Sequence, residues 1–383
     1  MDRECYLFVS CPFGGTEVFM KNLRTYVDSR SDFSSYWVEV PRPEPSTWRG
    51  VDKLFDNWSL RASMKTASDI RRLQRNGTKI QAAFFNHLTA ISLLPFRKSI
   101  PSMLSLDITP VLLNRDSAWY RQEGFRTKGV TEYLSRTWTI RTYDAMRYLL
   151  PWSHFTEASL LNDYGIASDR VIVQPPGVDL ALWTPSHPHV KERNRRFTVL
   201  FVGGDFVRKG GDTLLEVAAQ EAFRDVEFHF VTSAFPGSAA DNIHVHQGIL
   251  PNSCALLDLY RMSDVFAFPT RADYTPNAMV EAFAMGLPVI TTNVGGLGEM
   301  VHEGEDGFIV PTSSPELLAN RIMQLKSNPA LLQEFKRNAR RHAEKDFDIV
   351  KIGARIVDLL REIGSERRRL TAGYALIRQF HCS

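Results

Sequence analysis

Residues 265–299, VFAFPTRADYTPNAMVEAFAMGLPVITTNVGGLGE, constrain the fold more than any other stretch. The first four are an unbroken apolar run, as a strand buried on both faces requires. A polar break follows at 271–275. Thr275 before Pro276 is expected to cap a helix whose first position is the proline. The pattern predicts a helix over 278–285, a stop at Gly286 and a second buried strand over 288–292, which runs into Gly295-Gly296. Such a strand–helix–strand unit brings two loops to one sheet edge, the edge where open α/β sheets bind ligands. The loop at Asp273 opens on a helix N-terminus, whose free N–H groups and dipole favour an anion. Glu281 stands less than two turns inside that helix. Phosphates on amides and ribose hydroxyls on a carboxylate would seat a nucleotide. From this stretch alone, a plain α/β unit with a solvated carboxylate reads as well.

The rest of the chain alternates in the same way. Apolar runs predict strands over 6–10, 36–40, 82–85, 101–106, 148–152 and 171–174, then 197–202, 226–231, 243–246 and 307–310. Amphipathic stretches predict helices over 17–27, 51–75, 131–147, 153–164, 255–262, 315–326, 330–342 and 350–363, the last ending at Gly364. This is an α/β chain with parallel sheets covered on both faces. A length of 383 residues favours two domains. The proline-rich, charged segment 179–196 marks the boundary. The expected division is 1–185, a linker at 186–195, a second domain at 196–345, a helix at 346–364 and a basic tail at 365–383.

Further candidate residues sit at strand ends. Gly14-Gly15 lies in a glycine turn between a strand and a helix, where backbone can approach a phosphate or sugar. His87 and Asp107 each close a strand; an interior histidine and a turn cap are the plainer readings. In GGDFVRKGGD, Gly203-Gly204 turns the chain, Arg208 and Lys209 are adjacent cations, and Gly210-Gly211 leads into a helix. Glycine-flanked cations at a strand–helix junction suit a diphosphate, although this is not the P-loop pattern. The irregular, aromatic and basic segment 114–130 suits grip on an acceptor, or an ordinary surface excursion.

Net charge is +3, with residues 1–195 basic and 196–383 acidic. No nucleic-acid motif or long basic run is present, so nucleic acid is excluded as a partner. The basic half and Arg367–Arg369 raise peripheral association with an anionic membrane face. No apolar run is long enough for a membrane span, and the N-terminus lacks the order of a signal peptide. Cys5, Cys11, Cys254 and Cys382 have no metal-ligand spacing. A cytoplasmic location is expected.

With these residues in hand, the second half resembles the retaining glycosyltransferases of family four, which have the GT-B fold. The matching segments are FVGGDFVRKGG, DYTPNAMVEAFAMGLPVITTNVGGLGE and GEDGFIVP, preceded by SHFTEASLLNDYGI and VIVQPPGVD. The resemblance implies two Rossmann-like domains with parallel sheets facing across a cleft and a C-terminal helix returning to the first domain, which takes the acceptor. The family's E-x7-E motif falls on Asp273 and Glu281, so the first carboxylate is shorter by one methylene. The resemblance assigns Glu281 to the nucleotide ribose and Asp273 to the donor sugar. It puts Arg208 and Lys209 on the diphosphate, and the backbone around Thr275, Pro276, Asn277 and Ala278 on sugar or phosphate. Gly204, Gly295, Gly296 and Glu299 match donor-binding loops, as do Gly14 and Gly15. The family's His-Asp pair reads Leu106-Asp107, so His87 or Asp107 would take over the lost histidine's contact. The implied reaction moves a hexosyl group from a nucleoside diphosphate sugar to a glycan or lipid-linked acceptor with retention, without a metal cofactor. An epimerase acting on the nucleotide sugar, or a binding protein impaired in catalysis, are the alternatives.

Overall fold

The computed structural model describes residues 3–11, 14–40, 58–91, 100–120, 130–185, 195–237 and 240–380. The first lobe comprises β1 (Cys5–Ser10), α1 (Gly14–Asp28), β2 (Ser34–Glu39), α2 (Trp58–Arg75), β3 (Ala82–Phe85), β4 (Ser102–Leu106), α3 (Pro110–Arg115), α4 (Ser117–Tyr120), α5 (Val130–Asp144), β5 (Tyr148–Pro151) and α6 (His154–Asn162). Its five parallel strands are ordered β2-β1-β3-β4-β5. Successive residues of β1 alternate between two cores: Leu7 and Val9 face one, Tyr6 and Phe8 the other. That alternation is how a sheet covered on both faces reads as continuous apolar sequence.

The second lobe comprises β6 (Phe197–Val202), α7 (Gly211–Ala218), β7 (Val226–Val231), β8 (Ile243–His246), α8 (Cys254–Met262), β9 (Val265–Phe268), α9 (Asn277–Ala284), β10 (Val289–Thr292), β11 (Gly307–Val310), α10 (Pro315–Ser327) and α11 (Pro329–Asp346). The six parallel strands are ordered β11-β10-β9-β6-β7-β8. Strand order reverses at β6 and β9, so the loops leaving those two strands flank the switch-point crevice. Two parallel-sheet, Rossmann-like lobes are thus present, as the alternation predicts.

The final helix, α12 (Ile349–Phe380), returns to the first lobe. Ile352, Ile356, Val357, Leu360 and Ile363 are buried in one core with Phe8, Phe19, Leu23 and Tyr26. The predicted stop at Gly364 does not occur. A mid-helix glycine costs only about 1 kcal/mol, and contacts on both sides hold the helix: Tyr148 donates to Glu362 at 2.6 Å and Arg147 pairs with Glu366 at 3.1 Å. The segment 365–380 therefore continues α12 and is not a separate tail.

The chain passes between lobes twice. Val178 and Trp183 already belong to the second lobe's core, so the first passage is at Gly177, ahead of the expected linker, most of which lies outside the described residues. The second passage is at residues 347–349. The two are bonded to each other: the Val178 N–H donates to the Phe347 carbonyl at 2.8 Å and the Ile349 N–H to the Val178 carbonyl at 3.0 Å. A Cβ on Gly177 would lie 2.9 Å from the Ile349 Cα, so this approach requires glycine.

Other expectations give way locally. Residues 171–174 form one bridge, Leu149 with Val171, and no strand, because Pro175 and Pro176 end the extended run. A short helix, α3, capped by Thr109 with Pro110 at its first position, runs into the irregular segment 114–130, whose next described residues form α4. Residues 121–129 lie outside the described residues. Gly14 and Gly15 are the first residues of α1 rather than a turn before it. Among the described residues no helix is long and apolar enough to cross a membrane.

Candidate active site at the interlobe cleft

The loops after β6 and β9 press directly on each other. Gly210 has φ +79°, and a Cβ there would lie 2.0 Å from the Pro269 carbonyl oxygen. Only glycine satisfies both demands. This contact sets Arg208 and Lys209 against the β9 loop. The Arg208 guanidinium donates to the Ala272 carbonyl at 2.7 Å and to Asp205 at 3.2 Å. Its own carbonyl accepts from the Arg271 N–H at 2.9 Å and the Thr270 hydroxyl at 3.0 Å. The Lys209 ammonium pairs with Asp273, both side chains being largely buried, and lies 5.1 Å from the Phe268 ring centre. The hydrogen bonds and ion pairs of both cations come from their own lobe.

The other lobe completes the crevice. Asp107 follows β4, and its carbonyl is fixed by the Thr156 hydroxyl at 2.7 Å. Burial, reinforced by the neighbouring Asp273, raises the Asp107 carboxyl to a pKa of about 8; Thr275 and Lys209 oppose that shift. The Asp107 carboxyl and Thr275 face each other, yet Asp107 Oδ1 and the Thr275 hydroxyl are both buried without a well-formed hydrogen bond. Each such atom costs about 1–3 kcal/mol unless something supplies a partner. The structure thus brings Arg208, Lys209, Asp273, Thr275 and Asp107 to one place, from both lobes.

Thr275 is free for this role because it does not cap α9. Pro276 occupies the N-cap position at φ −71°, ψ 126°, with no side-chain cap, and the helix begins at Asn277. Pro276 has no N–H, so the amides at this helix start are those of Asn277 and Ala278. The Asn277 side chain instead reaches the first lobe, donating to the Gly15 carbonyl at 2.7 Å. A Cβ on Gly15 would meet that amide at 2.8 Å. Glu281 lies deeper. It is 5% exposed and accepts from the Tyr260 hydroxyl at 3.1 Å. Burial raises its pKa to about 8.

The remaining candidates shape the cleft from behind. Gly295 has φ +55°, and a Cβ there would lie 2.0 Å from the Asp273 carbonyl oxygen. At Gly296 a Cβ would strike Ser153 of the first lobe and the Tyr274 carbonyl. Glu299 accepts from the His154 and Phe155 N–H groups at 2.7 and 2.6 Å, so its carboxylate caps α6 across the lobe boundary. Gly204 is exposed on the β6 loop, its carbonyl bound by Ser233. His87 closes β3, one strand from Asp107, and burial lowers its pKa to about 4. It is a neutral imidazole near pH 7.

Sequence reading missed an aromatic wall. Tyr120 stacks on Tyr274 at 5.8 Å and carries the Arg208 guanidinium 4.7 Å from its ring centre. The Tyr274 hydroxyl donates to Asp116 at 2.5 Å, and Phe155 stacks on its ring at 6.3 Å. Burial raises the pKa of both tyrosines. The available signal was the aromatic content of segment 114–130; nothing local names its partners on a distant loop.

Comparison with known proteins bears on the fold and on the second lobe's sequence. Residues 196–328 match the family model described as glycosyl transferases group 1. The D-inositol 3-phosphate glycosyltransferase of Rhodococcus jostii is 30% identical over 207 residues, which is 48% of this chain and 46% of that protein. The chain thus spans about half the length of the curated relatives it matches. Sucrose-phosphate synthase from Thermosynechococcus elongatus superposes with a TM-score of 0.75 at 18% identity, covering 95% of this chain and all of that one. Anabaena HepE in complex with UDP-glucose superposes with a TM-score of 0.65 at 16% identity, covering 94% and 99%. The chain has the two-lobed fold of the GT-B glycosyltransferases, and its second lobe carries the sequence pattern of glycosyl transferases group 1.

Proposed function

We propose that this protein transfers a hexosyl group from a nucleoside diphosphate sugar to an acceptor hydroxyl, with retention at the anomeric carbon. The observation that carries this reading is the convergence of Arg208, Lys209, Asp273, Thr275 and Asp107 at the switch point, with two buried polar atoms left for a ligand. Charge develops on the β-phosphate as the glycosidic bond breaks. Arg208, Lys209 and the Asn277 and Ala278 amides supply donors for that charge. Asp273 and Thr275 engage the sugar hydroxyls from one lobe and Asp107, with His87 at the end of the neighbouring strand, from the other. Glu281 takes the ribose hydroxyls. The acceptor, a glycan or lipid-linked hydroxyl, enters along the first lobe. Attack on the face that the leaving phosphate vacates, with that phosphate taking the acceptor proton, gives retention without a covalent enzyme intermediate. The two lobes exclude the water that would otherwise hydrolyse the donor.

Donor binding must part Lys209 from Asp273, turning the ammonium to phosphate and the carboxylate to sugar. Replacing both Arg208 and Lys209 with alanine is expected to weaken the binding of the preferred donor at least tenfold, read by titration calorimetry against UDP-, GDP- and ADP-sugars. Turnover with excess donor is expected to fall on the order of a hundredfold. Unchanged donor affinity in the double variant would remove the phosphate assignment. An inverted anomeric product by NMR would remove retention alone. With two cations in the metal's place, added Mg2+ is expected to leave the rate unchanged.

A further inference from the structure

A second constellation lies at the opposite end of the second lobe. His302 follows the turn at residues 297–299, Asp306 precedes β11 and His342 projects from α11. The Asp306 carbonyl accepts from the Val289 N–H at 3.1 Å, at the start of β10, whereas the cleft lies beyond the other ends of these strands. Asp306 Oδ2 accepts from His302 Nδ1 at 2.7 Å and His342 Nδ1 at 2.8 Å. Its Oδ1 accepts from the His302 N–H at 2.8 Å. One potential ligand atom from each of the three residues lies within 4.8 Å of the other two. The Asp306 and His342 side chains are 2% and 6% exposed; that of His302 is 50% exposed.

We propose that His302, Asp306 and His342 form a zinc-class metal site, with solvent as the fourth ligand. Imidazole and carboxylate donors suit zinc, and three protein ligands leave one tetrahedral position open. Metal–ligand bonds of 2.0–2.2 Å place tetrahedral ligands about 3.3 Å apart. The observed contacts of 2.7 and 2.8 Å need to spread by about half an ångström. On binding, each imidazole shifts its proton from Nδ1 to Nε2 and offers the freed Nδ1 lone pair to the metal. Behind His342, the Asp346 carboxylate lies 3.7 Å from Nε2, so a shift of about half an ångström would let it accept that proton's hydrogen bond. A carboxylate behind a ligating histidine is the usual support for one. Half-exposed His302 provides the entry path. The His342 ring also lies 4.8 Å from Phe283 of α9, so the metal would brace the helix that carries Glu281.

The test uses the full chain, stripped with chelator and dialysed. Zinc titration is expected to give one site per chain, with melting raised by about 5 °C at a hundredfold excess over Kd. His302→Ala, at a half-exposed position, is expected to weaken zinc binding at least tenfold and abolish the thermal shift. His244→Ala removes a histidine from a separate group, in which His229 and His246 lie 2.9 Å apart and His244 pairs with Glu227. That variant is expected to bind zinc as the parent does. Cobalt substituted for zinc is expected to show the visible absorption of a tetrahedral nitrogen–oxygen site. Failure of zinc to shift melting in the parent, or uptake unchanged in His302→Ala, would overturn the assignment.

Discussion

Glu281 illustrates how burial and chemistry conflict at a single residue. Its carboxyl keeps a proton in the native protein up to about pH 8, whereas the unfolded chain releases that proton near the ordinary glutamate value. Between those limits the native state binds more protons, so this group's contribution to stability is complete below about pH 4 and is lost as pH rises. The loss ends above about pH 8. Glu281→Gln is expected to remove this part of the slope, on the order of 1 kcal/mol per pH unit, in urea unfolding followed from pH 5 to 8. A variant with the parent's slope would mean that Glu281 is ionised in the native state. The place of this side chain, less than two turns inside the helix after Asp273, was legible in the sequence. Its depth was not, because Tyr260, which seals it, lies on another helix. Asp107 has the same history: its strand end was visible, but the Thr275 opposite it came into view only once the lobes were assembled.

At the scale of loops and helices, glycine positions separate two demands that sequence merges. Gly295 matches a donor-binding loop by resemblance, and its positive φ and closeness to the Asp273 carbonyl add a packing demand for glycine there. Gly77 has φ +82° with nothing within 4 Å of a Cβ. Gly77→Ala is therefore expected to cost only about 1–2 kcal/mol, the price of the left-handed backbone. Gly295→Ala adds a clash that must displace the Asp273 backbone. It is expected to cost 3 kcal/mol or more, roughly, and to weaken donor binding together with stability. Chemical denaturation of the two variants side by side distinguishes backbone strain from crowding. Thr275-Pro276 is the contrasting case, in which local rules pointed to a cap and the structure put proline there. The threonine hydroxyl, released from capping, becomes one of the two unsatisfied atoms in the cleft.

At the scale of the molecule, alternation of strand and helix made both lobes legible, and the resemblance placed their cleft. The aromatic wall and the full reach of α12 were not legible, because both depend on partners more than a hundred residues away. Five α12 side chains buried in the first lobe each contribute about 1.5–3 kcal/mol, together on the order of 10 kcal/mol and comparable to the stability of a domain. Leu360→Ala is expected to cost about 2–5 kcal/mol in equilibrium unfolding. A value near zero would mean that the helix is dispensable. The paired passages at Gly177–Val178 and 347–349 have a consequence for how such proteins can be recombined. A single crossover between two parents near residue 177 would leave one parent's terminal helix clasping the other parent's sheet. A viable hybrid must inherit the head and tail of the chain together, and must keep the glycine on which the two backbones meet.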